Sequence, residues 1–199
     1  AVGDIDNDGR AEIVALDRTN RGVVFEDDLT VKWTSAAPLP ALAGALTGAT
    51  YGAPTIADLD GDGSPEVFVG ATVFDSLGRL RWNGSAGRGY SQRTAGGGYS
   101  LAAIAADLDL DGRQELIAGN TAYRADGTIL WQASVPDGMT AVGNFDADPY
   151  PEVVLTENAR VVLLDQDGTV LWNVPHAGAM AAAPLGNGAT FLGILGSPV

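Results

Sequence analysis

A run of acidic residues recurs four times along this chain in the same frame. The runs begin at positions 4, 58, 107 and 144. The first three read Asp-x-Asp-x-Asp-Gly-x-x-Glu, with carboxylates at loop positions 1, 3, 5 and 9 and glycine at position 6. One such run is often only a solvated face. Three copies in register, followed by a close fourth, indicate instead a repeated metal-binding loop.

The spacing of these carboxylates suits calcium, which takes roughly six to eight oxygen ligands. A short loop that curls around the ion aims side chains 1, 3 and 5 inward, and position 7 contributes its backbone carbonyl. The glycines at position 6, Gly9, Gly63 and Gly112, permit the sharp turn. Magnesium suits this arrangement less well, because it keeps several of its waters.

The EF-hand begins with the same pattern, but it needs a glutamate at position 12 and a helix on each side. Position 12 is occupied here by Ala15, Val69, Ala118 and Leu155. The flanking segments are short apolar runs bounded by turn residues, which predicts strands rather than helices. The loop therefore joins two strands, and the EF-hand is rejected.

A second repeat alternates with the first and ends in each of the four tryptophans, Trp33, Trp82, Trp131 and Trp172. It reads as a strand, a tight turn and a strand. Asp126-Gly127 and Asp167-Gly168 predict such turns because glycine accepts positive φ. Each repeat then holds four strands, a to d, with the acidic loop between a and b. The tryptophans could stack on sugars, but their place after apolar neighbours predicts packing between repeats.

The loop starts are separated by 54, 49 and 37 residues, close to the repeat of about 40–50 residues typical of propeller blades. A small four-stranded sheet cannot bury its faces alone, so we predict an all-β propeller of stacked blades. One partial propeller domain over 1–199 is expected, with repeats at 1–53, 54–100, 101–138, 139–178 and 179–199. This amounts to about four and a half blades, and the fifth has lost its carboxylates and should hold no ion. The unclosed ring favours a fragment of a longer chain over a small or oligomeric propeller.

The acidic loop together with the strand-Asp-Gly-x-x-Leu-Trp pattern resembles the FG-GAP/VCBS-repeat β-propellers, the superfamily that includes the head of integrin α subunits. The resemblance covers nearly the whole chain and is specific for the fold, not for a ligand. It implies a ring of about seven blades, calcium between the first two strands of a blade, and an extracellular binding or adhesion module. Integrin loops usually carry Asp at position 9, where this chain has the longer Glu.

The resemblance also implies one set of calcium ligands for each of the first three loops. These are Asp4, Asp6, Asp8, the Arg10 carbonyl and Glu12; Asp58, Asp60, Asp62, the Ser64 carbonyl and Glu66; and Asp107, Asp109, Asp111, the Arg113 carbonyl and Glu115.

The fourth loop departs from the pattern. Asn144, Asp146 and Asp148 occupy positions 1, 3 and 5, and Tyr150 and Glu152 occupy positions 7 and 9. Proline replaces the glycine at position 6 and fixes φ at about −65°. With one fewer charge and an altered turn, this loop should bind calcium more weakly. We therefore expect three strong calcium sites and a weaker fourth.

Charge and composition limit the classes of function that the chain could have. Fifteen of the 25 acidic residues lie in the four loops, so the net charge of −14 is concentrated where cations are expected. The single lysine and ten scattered arginines form no basic stripe, which argues against nucleic acid. No apolar run approaches the ~20 residues of a membrane span. Because calcium modules of moderate affinity need a calcium-rich compartment, we expect a secreted or cell-surface protein.

Two long links, at about 34–54 and 83–100, should lie on the face opposite the acidic loops, where binding residues commonly sit. Their candidate contact residues are Tyr51, Arg88, Tyr90, Arg93 and Tyr99, because Tyr and Arg are enriched at the energetic centres of interfaces. The alternative is that these links only pack on neighbouring blades. We predict a non-enzymatic, calcium-stabilised module for protein or carbohydrate recognition, adhesion or assembly.

Catalysis finds little support in the sequence. The only histidine, His176, has no paired nucleophile, cysteine is absent, and the clustered carboxylates all belong to the loops. Two alternatives remain open. The chain could be a polysaccharide lyase that uses Arg88 or Arg93 beside a calcium ion, or a structural subunit of a larger complex.

Overall fold

The computed structural model of the chain describes residues 1–39, 50–92, 99–157 and 160–175. These residues contain strands and no helix. In chain order the strands are β1 (Val2–Gly3), β2 (Glu12–Leu16), β3 (Gly22–Phe25), β4 (Val31–Thr34), β5 (Thr50–Gly52), β6 (Thr55–Ala57), β7 (Glu66–Val69), β8 (Thr72–Phe74), β9 (Leu80–Asn83), β10 (Tyr90–Gln92), β11 (Tyr99–Leu101), β12 (Ile104–Ala106), β13 (Glu115–Ala118), β14 (Thr121–Tyr123), β15 (Ile129–Gln132), β16 (Met139–Gly143), β17 (Glu152–Glu157), β18 (Arg160–Leu164) and β19 (Val170–Pro175).

Sixteen of the described strands form four antiparallel sheets whose strand order follows the chain. These sheets are blade 1 (β1 to β4), blade 2 (β6 to β9), blade 3 (β12 to β15) and blade 4 (β16 to β19). An acidic loop joins the first two strands of each blade. The predicted all-β fold of four-stranded propeller blades is therefore confirmed. The predicted fifth repeat at 179–199 lies outside the described residues.

The two long links were predicted to be loops, and this was wrong in part. They carry β5, β10 and β11, which form a small mixed sheet of order β10-β11-β5. Strand β11 pairs antiparallel with β10 and parallel with β5. The physical reason is that backbone N–H and C=O groups need partners wherever a link crosses other chain segments. Pairing within the second link and between the two links supplies those partners.

The core lies between the faces of successive blades. In one cluster, Phe68 and Val73 of blade 2 pack with Leu116 and Tyr123 of blade 3. A second cluster joins blades 3 and 4, and a third joins blades 1 and 2. Every residue of β7, β13 and β17 is buried. A middle strand covered on both faces explains why the second strand of each blade reads as an apolar run.

Each of the first three tryptophans packs against the following blade. Its ring lies on the tight turn between the third and fourth strands there, and its indole N–H donates to a backbone carbonyl of that turn. These bonds join Trp33 to Ser76 (3.0 Å), Trp82 to Ala125 (2.8 Å) and Trp131 to Gln166 (2.7 Å). A Cβ on Gly168 would lie 2.7 Å from the Trp131 ring, and its φ of +83° also favours glycine. The predicted packing of tryptophan between repeats is confirmed for these three residues.

Truncation of one tryptophan tests this contact. Trp131 is 8% exposed and Trp172, at the same place in blade 4, is 41% exposed. We expect Trp131→Ala to lower the free energy of unfolding by about 3–5 kcal/mol, the usual range for a buried Trp→Ala change. Trp172→Ala is the matched control and should lose clearly less. Urea denaturation measures both values, and equal losses would contradict the packing role of Trp131.

Candidate metal centre

The four acidic loops occupy the same position in their blades. Loops 1 to 4 span residues 4–12, 58–66, 107–115 and 144–152. Each loop holds three carboxylates that offer oxygen atoms within 4.8 Å of one another. The converging sets among the described residues are Asp4, Asp6 and Asp8; Asp58, Asp60 and Asp62; Asp107, Asp109 and Glu115; and Asp146, Asp148 and Glu152.

Backbone amides of each loop hold its carboxylates in place. In loops 1 to 3 the glycine N–H at position 6 donates to the aspartate at position 1, over 2.9, 2.8 and 2.9 Å. These glycines have φ of +88°, +87° and +90°, so the sharp turn does need glycine there. In all four loops the N–H at position 7 donates to the carboxylate at position 5. The chain therefore curls around a centre lined with oxygen atoms.

The glutamate at position 9 is buried in every loop. Its exposure is 0, 2, 3 and 0% in loops 1 to 4. One carboxylate oxygen accepts the N–H of position 2, as in Ile5 to Glu12 at 2.8 Å and Leu108 to Glu115 at 2.9 Å. In loop 3, burial raises the pKa of Glu115, and the neighbouring aspartates raise it further. Burial likewise raises the pKa of Glu66 in loop 2, against the opposing effect of a hydrogen bond from Leu59.

Several of these buried oxygens have no hydrogen-bond partner. They include Asp4 Oδ1 and Glu12 Oε1 in loop 1 and Glu152 Oε1 in loop 4. A buried carboxylate oxygen without a donor costs free energy, and a cation at the loop centre would satisfy it. The residues present therefore fit a hard cation such as calcium. The role of the position-7 carbonyls of Arg10, Ser64, Arg113 and Tyr150 as ligands stays a prediction.

Loop 4 differs in its first side chain, which donates hydrogen bonds to the loop. Asn144 Nδ2 donates to the carbonyls of Asp148 (2.7 Å) and Tyr150 (3.3 Å). In loops 1 to 3 the aspartate at this position accepts hydrogen bonds instead. Because Pro149 lacks an N–H, the glycine bond of the other loops is also missing. Weaker calcium binding by this loop stays a prediction, and the geometry gives it a physical basis.

Two basic residues that the sequence analysis did not consider contact the loops. Lys32 Nζ donates to Asp6 Oδ2 at 2.5 Å and to Glu26 Oε1 at 2.8 Å. Arg81 contacts Asp60 and Glu66 of loop 2. Hydrogen bonds from these cations lower the pKa of Asp6 and of Asp60. The sequence does show that both basic residues occupy the same repeat position, directly before a strand-d tryptophan.

A charged cavity of about 430 Å³ lies beside loops 2 and 3. Three arginines, Arg81, Arg113 and Arg124, line it together with carboxylates of both loops and of the turn that follows β14. No sequence pattern indicated this cavity, because its walls come from two blades and join only after the blades stack.

The residues predicted to bind a partner are only partly described. Arg93 and the side chains of Tyr51, Tyr90 and Tyr99 lie outside the part of the chain that the structure describes. The backbone N–H of Arg88 donates to Asp137 Oδ2 at 2.8 Å. Arg88 follows β9, at the end of the blade opposite loop 2. It is therefore not beside the acidic loops, and its role in partner binding stays a prediction.

Comparison with known proteins supports the fold. Residues 4–69 match the family model of the FG-GAP-like repeat, which confirms the resemblance there. The crystal structure of the V. cholerae biofilm matrix protein Bap1 is similar with 26% identity and a TM-score of 0.69, over 88% of this chain and 28% of that chain. Rhamnogalacturonan lyase YesW shows 20% identity and a TM-score of 0.62, over 87% of this chain and 39% of that chain.

BBS1N, solved in complex with ARL6DN, shows 11% identity and a TM-score of 0.56, over 89% of this chain and 56% of that chain. At these identities the likeness to YesW and BBS1N shows the fold alone. The chain spans less than two thirds of each of these three proteins. None of the curated protein sequences compared with the chain matches it. Among the described residues no helix is long and apolar enough to cross a membrane.

The buried glutamate of loop 1 offers a test of loop architecture without metal. In excess chelator, Glu12→Ala should lower the free energy of unfolding by about 1–3 kcal/mol more than Glu12→Gln. The reason is that alanine leaves the buried Ile5 N–H without an acceptor, whereas glutamine retains a carbonyl oxygen. Equal losses in urea denaturation of the two variants would show that the hydrogen bond to Ile5 does not hold the loop.

Proposed function

We propose that this chain is a calcium-stabilised, non-enzymatic module for recognition or assembly outside the cell. The observation that carries the proposal is the repeated convergence of carboxylates beside a buried glutamate. In loop 1 this glutamate has an oxygen without a hydrogen-bond partner, and the same holds in loop 4. An acidic surface that served only solubility would not bury one carboxylate of each loop.

Calcium, when bound, would supply the positive charge that neutralises each cluster. The carboxylates at positions 1, 3, 5 and 9 would hold it in loops 1 to 3, and Asp146, Asp148 and Glu152 would hold it in loop 4. The side chains at positions 1 and 9 lie at the end of the first strand and at the start of the second. An ion bound by both would therefore fix the two strands together, and binding only the folded state stabilises it by mass action.

Three points support an extracellular recognition role. Extracellular calcium modules typically bind the ion at about 10⁻⁴–10⁻³ M, so loops of that affinity would fill only outside cells. The similar structure of Bap1 belongs to a biofilm matrix protein and is 26% identical to this chain. A stack of rigid blades also presents its links and turns as a fixed surface on which binding residues commonly lie.

A polysaccharide lyase is the alternative that most needs a test. YesW carries that activity in its name, but at 20% identity it supports the fold alone. A lyase of the kind considered from the sequence would need a basic residue beside a metal loop. Arg88 lies at the opposite end of its blade, whereas Arg81, Arg113 and Arg124 line the cavity beside loops 2 and 3.

Chelation tests the calcium proposal directly. A site held at about 100 times its dissociation constant adds about 2.7 kcal/mol to stability. Excess chelator should therefore lower the melting temperature by at least about 5 °C, and metal analysis should find about three to four calcium ions per chain. Magnesium at equal concentration is the control and should restore little. No bound calcium and no shift would overturn the proposal.

An activity assay separates recognition from catalysis. We expect no rise in the ultraviolet absorbance of unsaturated sugars when the calcium-loaded chain is incubated with rhamnogalacturonan, with YesW as the positive control. Product formation that is lost in Arg113→Ala would contradict the non-enzymatic assignment and move attention to the cavity beside loop 3.

A further inference from the structure

The fourth strand of blade 2 carries a guanidinium that bridges two carboxylates of loop 2. Arg81 Nη2 donates to Asp60 Oδ2 at 2.8 Å, and Arg81 Nη1 donates to Glu66 Oε1. These oxygens belong to loop positions 3 and 9, which lie far apart in the loop sequence. One side chain from outside the loop therefore holds both carboxylates.

The other loops lack this bridge. In loop 1, Lys32 contacts the carboxylate at position 3 only, and its second bond goes to Glu26 outside the loop. In blades 3 and 4 the residue before the tryptophan is Leu130 or Leu171. Among the described residues no ion pair joins a basic side chain to loop 3 or loop 4. The four blades thus differ in the residue that precedes the tryptophan of the fourth strand.

The loops also differ in whether the buried glutamate belongs to the converging carboxylates. In loops 3 and 4 the converging set includes Glu115 or Glu152, whereas in loops 1 and 2 it consists of aspartates alone. Oε1 of Glu12 and of Glu152 has no hydrogen-bond partner, but Oε1 of Glu66 is bound by Arg81. A buried carboxylate needs such a partner. Arg81 therefore provides in loop 2 the positive charge that a metal ion would provide elsewhere.

We propose that Arg81 is the internal counter-ion of loop 2, which holds Asp60 and Glu66 in place without metal and competes with calcium for them. This proposal rests on the calcium binding proposed above. A calcium ion needs the same two carboxylates, and two cations at this separation repel each other. Arg81 leaves these oxygens when calcium binds, so loop 2 fills at a higher calcium concentration than loop 3.

Each loop has its own reporter in the full chain. The N–H of Gly63 donates to Asp58 in loop 2, and the N–H of Gly112 donates to Asp107 in loop 3. Their NMR shifts in protein labelled with nitrogen-15 glycine follow the two loops separately during a calcium titration. In the native chain we expect Gly112 to reach its midpoint at a lower calcium concentration than Gly63.

Arg81→Leu installs the residue that blades 3 and 4 carry. We expect the calcium midpoint of Gly63 to fall about tenfold, which corresponds to about 1.4 kcal/mol, while that of Gly112 stays unchanged. Arg79→Leu is the matched control, because it removes the same charge from the same blade. Among the described residues no hydrogen bond or ion pair joins the Arg79 side chain to loop 2. Leu130→Arg is the reverse change and should raise the midpoint of Gly112.

Stability provides a readout that a merely structural arginine would not give. Arg81→Leu should unfold at lower urea than the native chain in excess chelator, and at equal or higher urea in saturating calcium. Equal destabilisation in both conditions, or a Gly63 midpoint shifted as much by Arg79→Leu, would overturn the proposal. Should Arg81→Leu fail to fold, an unchanged Gly112 midpoint in Leu130→Arg would overturn it. If no glycine responds to calcium, the proposed calcium binding itself fails.

Discussion

Repulsion among carboxylates crowded at one end of each blade is the constraint that the rest of the structure must satisfy. Like charges at such separations raise the free energy of the folded chain unless cations or hydrogen-bond donors face them. The described loops already offset this repulsion in two ways. Backbone amides hold the carboxylates at positions 1 and 5, and Arg81 neutralises part of loop 2. The unpartnered oxygens of Glu12 and Glu152 mark where a third means, a metal ion, would act.

The same end of the molecule also joins successive blades. The side chain of Asn7 in loop 1 donates to the Gly63 carbonyl in loop 2 at 2.7 Å, and the N–H of Gln114 in loop 3 donates to the Leu59 carbonyl in loop 2 at 3.1 Å. The tryptophans reach the turns at this end as well. Fixing one loop therefore also positions atoms of the next, which links the order of a loop to the stacking of blades.

Much of the fold could be predicted because repeats average over local ambiguity. The recurring acidic loop and the tryptophan hairpin each specify strands and turns four times, so single doubtful segments matter little. Strands β5, β10 and β11 escaped prediction because each has only three residues, and the pairing of β5 with β11 joins two links that are distant in the sequence. Such pairing leaves no period in the local sequence. Loop positions were predictable from spacing, but the contacts of Lys32 and Arg81 depend on which face of the fourth strand each residue occupies.

The blades are therefore alike in backbone and unlike in charge. Blade 1 places a lysine on one loop carboxylate, blade 2 places an arginine on two, and blade 3 carries leucine with all four carboxylates of its loop retained. Blade 4 also carries leucine, but its loop begins with Asn144, which donates hydrogen bonds instead of accepting them. If calcium binds as proposed, blade 2 depends least on the ion and blade 3 depends most. Because the first three tryptophans each pack on the turn of the following blade, Trp82 of blade 2 supports that most dependent blade through its bond to Ala125.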